Sequence, residues 1–164
     1  MWLYLVHHGE ALAAELDSRR PLSESGRLAV QLLAEQAASR GVRPVAIWHS
    51  GKLRARQTAE AFWRACNPLA EFTAVRGLQP ADIPQMLRDS LLGETRDLMV
   101  VGHMPHLSRV LGLLTTGADA DAPFPINGMI ALDGGASART DERDPWTEGW
   151  RLASPQPAGE SIRI

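Results

Sequence analysis

The chemistry-bearing residues of this 164-residue chain sit directly behind short apolar runs. His7 and His8 follow residues 2–6, His49 and Ser50 follow residues 44–48, and His103 follows residues 98–101 and one glycine. Arg54 comes four positions after Ser50, and Arg20 lies in the long connection behind the first run. A neutral imidazole is nucleophilic near pH 7, whereas a serine hydroxyl needs an activating base. A guanidinium offers a rigid fork of donors that matches phosphate oxygens. Several histidines and two or three arginines on one rim therefore describe an oxyanion pocket, and phosphate uses so many donors better than a lone carboxylate. In-line attack by a histidine would give a phosphohistidine for water to hydrolyse. Glu10, directly beyond His8, is available to orient a donor or accept a ring N–H.

For these groups to meet, the apolar runs must be neighbouring parallel strands, whose carboxyl ends form the ligand-binding rim of an open α/β sheet. Residues 2–6, 44–48 and 98–101 are short and almost wholly apolar, as expected of strands covered on both faces. Residues 71–75 read as another short strand. Residues 129–132 and 149–152 read as an outer hairpin or sheet edge, with the Gly/Ala/Asp-rich segment 134–144 as their exposed loop. Helical patterns alternate with the strands. Ser23 is the N-cap of a helix in which Leu28, Leu32, Leu33 and Ala37 recur until Gly41. Residues 53–65 form a second helix with Ala55, Ala59, Phe62 and Trp63 on its apolar side, ended by Asn67-Pro68. A weaker helix covers 83–91. Pro105 opens another that turns Leu107, Val110, Leu111 and Leu114 inward. This alternation predicts an α/β fold: a single-domain three-layer α/β/α sandwich over residues 1–164 with a mainly parallel central sheet.

Composition narrows the function further. A mass of 17.9 kDa with 45% hydrophobic and 22% charged residues suits one soluble domain. The net charge is −2, and only 5% of residues are aromatic. Neither a basic duplex-binding face nor a stacking platform for single strands follows, so nucleic acid is not an expected partner. Lys52 is the only lysine, so the many arginines reflect composition, and each needs a local reason. A single cysteine, Cys66, excludes an internal disulfide and any multi-cysteine zinc site. No His-Glu-x-x-His motif occurs, and the arginines would repel a cation, so neither metal nor cofactor is expected. No apolar run approaches the roughly 18 residues of a membrane span. The first residues lack a basic leader, which predicts a cytoplasmic protein, read as a monomer.

The blocks His7-His8-Gly9-Glu10-Ala11, Arg20-Pro21-Leu22-Ser23, the run from Ser50 to Ala59 and Val101-Gly102-His103-Met104-Pro105-His106 resemble the histidine phosphatase superfamily. More closely, they look like its small branch of phosphohistidine phosphatases acting on signalling proteins. The resemblance implies the phosphoglycerate mutase-like fold, with His8 as the phosphorylated nucleophile. Arg54 and Arg20 would bind phosphoryl oxygens, and His103 would donate to the developing charge opposite His8. Gln57 and Thr58 would help pack the helix or place Arg54. His49 reads as a structural strand end and His106 as a surface histidine.

The family hallmark is Arg-His-Gly, and His7 replaces its arginine here. His7 supplies charge only when protonated, and a phosphate dianion beside it should raise its proton affinity. An uncompensated loss of the guanidinium would cost about 3 kcal/mol, or about 10² in rate. Weakened or pH-sensitive chemistry is the expectation. No clear general acid for an alkoxide leaving group stands out, with Asp82 and Glu10 as loose candidates, which favours phosphohistidine in proteins over sugar phosphates. A phosphate- or phosphoprotein-binding module with little catalysis, and a small-molecule phosphomonoesterase, remain the alternatives.

Overall fold

The computed structural model describes residues 1–135 and 145–154. Strands and helices alternate along them: β1 (Trp2–His7), α1 (Glu24–Ser39), β2 (Ala46–His49), α2 (Leu53–Cys66), β3 (Glu71–Ala74), α3 (Pro84–Ser90), β4 (Leu98–Gly102), α4 (His106–Thr116), β5 (Met129–Asp133) and β6 (Thr147–Leu152). The six strands form one sheet in the order β3-β2-β4-β1-β5-β6. The first four in that order are parallel, while β5 and β6 add an antiparallel edge. The expected hairpin edge is present, and its expected loop falls outside the described residues beyond Gly135.

Side-chain alternation along the central strands fills two cores. Tyr4, Val6, Ile47, Met99 and Val101 face α1 and α2 through Val30, Leu33, Ala37, Ala59 and Phe62. Leu3, Leu5, Ala46, Leu98 and Val100 face α3 and α4 through Leu87, Leu107, Val110 and Leu114. The result is the expected three-layer mixed α/β fold. One helix face differs from expectation. α1 buries Val30, Leu33, Ala34 and Ala37, and leaves Leu28 58% and Leu32 40% exposed. Leu33 and Ala37 are buried as expected, while Val30 and Ala34 take the inward places expected of Leu28 and Leu32.

Register places the functional ends together. Val6 lies beside Val101 of β4, and His49 of β2 lies beside the same Val101. The N–H of His8 then donates to the carbonyl of Gly102 at 3.2 Å. β1 and β4 are adjacent, yet the helices that follow them pack on opposite faces of the sheet. The crevice between their carboxyl ends is thus a topological switch point, the usual ligand site of such sheets.

Two glycines make the turn behind β1 possible. A Cβ on Gly9 would strike the side chain of Val30, and one on Gly26 would strike the carbonyl of Glu10. α1 can therefore rest directly on the His8-Gly9-Glu10 segment. Ser23 caps α1 as expected, its hydroxyl accepting the Gly26 N–H at 2.9 Å.

Candidate active site

His8 leaves β1 with its imidazole in a defined tautomer. Its Nδ1 lies 2.7 Å from the carbonyl oxygen of Gly9, which can only accept, so Nδ1 carries the ring hydrogen. Nε2 is therefore the lone-pair nitrogen. Arg54 confirms that polarity, its Nε–H donating to Nε2 of His8 at 3.2 Å. Burial pushes the His8 pKa down to about 4, against the opposing bond to Gly9 and with help from Arg54 and Arg20. The ring is neutral near pH 7.

Arg54 occupies the first turn of α2 and is 9% exposed. One turn on, the hydroxyl of Thr58 donates to the carbonyl of Arg54 at 2.8 Å and accepts the N–H of Gly9 at 3.0 Å. Gln57 accepts the N–H of Leu22 at 2.8 Å. Thr58 and Gln57 thus fasten α2 to both ends of the β1–α1 connection, with Gln57 acting away from the histidines. Arg20 is exposed and donates to the carbonyl of Leu12 at 3.2 Å. Its charge still reaches inward, since it helps depress the pKa values of both His8 and Arg54.

His103 packs against His8 with ring centroids 4.9 Å apart. Its Nε2 is 2.6 Å from the Ser50 hydroxyl, while Nδ1 is buried without a hydrogen-bond partner. If Ser50 donates to Nε2, the ring hydrogen falls on the unpartnered Nδ1, which becomes a donor held in reserve. Burial pushes this pKa down to about 3 as well, with His8 and Arg54 adding to the effect. Ser50 is itself anchored, its carbonyl accepting from the Gln79 amide at 2.7 Å.

His7 completes the cluster, its ring centroid 4.5 Å from that of His8. Nδ1 of His7 accepts the backbone N–H of Asn127 at 2.8 Å. Burial pushes its pKa down to about 3, with His8 and Arg54 contributing. Burial and the neighbouring guanidinium thus work against the protonation that a phosphate dianion would favour.

Glu10 lies elsewhere than expected. Its carboxylate turns to the start of α1, accepting from Ser23 at 3.0 Å and Ser25 at 2.6 Å, and does not serve His8. A carboxylate there complements the helix dipole. His106 is fully buried, not on the surface, and neither of its ring nitrogens has a hydrogen-bond partner. His49 is structural, its Nδ1 accepting the Gly51 N–H at 3.1 Å. Asp82 accepts the N–H of Gln79 at 2.8 Å. It lines a hollow of about 410 Å³ with Ser50, Arg76, Gln79 and Met86. A larger groove of about 770 Å³ between α1 and α2 contains none of the histidines.

Sequence reasoning gave no role to Asn127, Gln79 or the Ser50–His103 bond. Ser50 lay within a quoted motif, but its partner is 53 residues away. Nothing local marks Asn127.

The sequence pattern of the histidine phosphatase superfamily (branch 1) matches residues 3–86. The chain belongs to this superfamily. No curated protein matches it significantly. Among solved structures, the protein histidine phosphatase SixA complexed with tungstate has a TM-score of 0.80 at 23% identity, covering 93% of this chain and 97% of that one. A putative phosphohistidine phosphatase SixA from Agrobacterium tumefaciens has a TM-score of 0.74 at 28% identity, with the same coverages of 93% and 97%. Phosphoserine phosphatase from Entamoeba histolytica, in complex with 3-phosphoglyceric acid, has a TM-score of 0.66 at 14% identity over 93% of this chain and 97% of that one. Superfamily membership supports a phosphatase function. The superfamily match ends before His103, so it is the fold that carries that residue to the others. Among the described residues no helix is long and apolar enough to cross a membrane.

Proposed function

We propose that this protein is a phosphohistidine phosphatase working through a covalent phospho-His8 intermediate. One observation carries the reading: a neutral His8 accepts from the guanidinium of Arg54 on Nε2, and its ring packs against that of His103. Similarity to the two SixA structures supports the substrate class.

In the first step Arg54 turns its N–H from Nε2 of His8 to a phosphoryl oxygen, the freed Nε2 lone pair attacks phosphorus, and the P–N bond of the substrate phosphohistidine breaks. The bonding pair returns to the departing ring nitrogen. When the other nitrogen of that substrate ring is already protonated, it departs as neutral imidazole, and no general acid is needed. His8 becomes an N-phosphorylated imidazolium whose Nδ1–H still donates to the Gly9 carbonyl, now with charge assistance. Arg54 and the His103 ring beside it stabilise the charge on the equatorial oxygens, with the Arg20 charge adding from the β1–α1 connection. In the second step water attacks phosphorus, the P–Nε2 bond breaks, and its pair returns to Nε2. A water proton passes to the released phosphate or to solvent.

The test is mass spectrometry after exposure to phosphoramidate. Acid-labile phosphate should appear on His8 and be absent from His8→Asn. Phosphate analogues binding with no labelling and no turnover would instead indicate a binding module, and turnover of sugar phosphates alone would indicate a phosphomonoesterase.

A further inference from the structure

Asn127 precedes β5 and is some 120 positions from the two histidines it holds. Its backbone N–H donates to Nδ1 of His7 at 2.8 Å, and its side-chain amide donates to the carbonyl of His8 at 2.7 Å. The next residue joins in, the carbonyl of Gly128 accepting the N–H of His7 at 2.9 Å. Asn127 makes these bonds with φ of +51°, a left-handed conformation that asparagine, aspartate and glycine tolerate better than other residues.

We infer that Asn127 is a positioning residue that fixes His7 as a neutral Nε2–H donor for the phosphoryl group, replacing the motif guanidinium with an uncharged donor. This rests on the phosphatase reading above. A ring nitrogen that accepts an N–H carries no hydrogen of its own, so the neutral ring must hold its proton on Nε2. Protonating Nδ1 would set two donors face to face. The charged and titratable groups acting on His7 are His8 just past the end of β1, Arg54 from α2 and His103 just past the end of β4. None is a carboxylate, so nothing there favours an imidazolium. The amide bond to His8 meanwhile holds the backbone from which the nucleophile projects. One residue thus sets the proton on one histidine and the position of its neighbour.

The test uses the full chain labelled with ¹⁵N. Ring spectra should show His7 with a bare Nδ1 and a protonated Nε2 from pH 5.5 to 8, with or without tungstate. Asn127→Gly and Asn127→Asp both tolerate the positive φ and keep the backbone N–H, but lose the amide donor. Asn127→Gly should keep the His7 signature while kcat for a phosphohistidine protein falls about tenfold and KM changes less than about twofold; Asn127→Asp should lower kcat as well, and its carboxylate beside the two rings should raise the proton affinity of His7. A purely structural role would lower the melting temperature without that split. Protonated Nδ1 on His7 at pH 7 with tungstate bound, or both variants within about twofold of the original kcat, would overturn the inference. Should the unaltered chain turn over no phosphohistidine, the phosphatase reading fails, and the ring spectra still decide the state of His7.

Discussion

At the scale of single residues, the site is a cluster of three neutral imidazoles around one buried guanidinium. His8 titrates near 4, not near its ordinary 6.5, so its nucleophilicity should survive well below neutral pH. Labelling of His8 by phosphoramidate, followed from pH 4 to 8, should stay level down to about pH 5 and fall as pH drops through about 4. A midpoint near 6.5 would mean the ring is not desolvated as described. Arg54→Ala should lower kcat/KM by about 10²–10³, and Arg54→Lys should recover only part, since an ammonium lacks the fork that matches two phosphoryl oxygens. Steady-state kinetics check both. The histidines and arginines were legible in the sequence because residue type and strand-end position reveal them. Tautomers were not legible, because each depends on a carbonyl, hydroxyl or N–H supplied by backbone geometry or by a distant segment. His7 is an example: the partner that governs its Nδ1 is Asn127, some 120 positions away.

At the scale of elements, α2 matters through what its first turns grip. Thr58 is fully buried, and its hydroxyl is shared between the Arg54 carbonyl and the Gly9 N–H. Thr58→Val keeps the shape but leaves the Gly9 N–H unsatisfied, a loss of about 1–3 kcal/mol. Urea unfolding should show that loss, and kcat should fall with it because His8 adjoins the freed amide. If kcat held while stability dropped, the grip would matter only for folding. Ser23→Ala should weaken the α1 cap by about 1 kcal/mol and disturb catalysis less. Strand positions and helix order were readable from short apolar runs and helical patterns. The buried stripe of α1 was readable only in part: Leu33 and Ala37 belong to it, but the exposed Leu28 and Leu32 and the buried Ala34 reverse the usual weighting of hydrophobicity.

For the whole molecule, all five histidines have pKa values held below 6.5, with burial the largest cause each time. Below pH 6.5 the unfolded chain therefore binds protons that the folded one refuses. Stability from these groups is complete above about pH 6.5 and drains away as pH falls toward the folded values near 3–4. The melting temperature should drop progressively between pH 7 and 5. Tungstate should counter that drop by binding the folded form. A flat profile would contradict the burial of the cluster. The central place of β1 has a consequence in time. Its neighbours in the sheet, β4 and β5, begin only at Leu98 and Met129. A chain emerging from the ribosome must keep its first apolar strand waiting, while roughly a hundred further residues are made, before either flank is covered. The proposed nucleophile, His8, is thus synthesised among the first residues and assembled among the last, so on that reading prematurely terminated fragments are born inert.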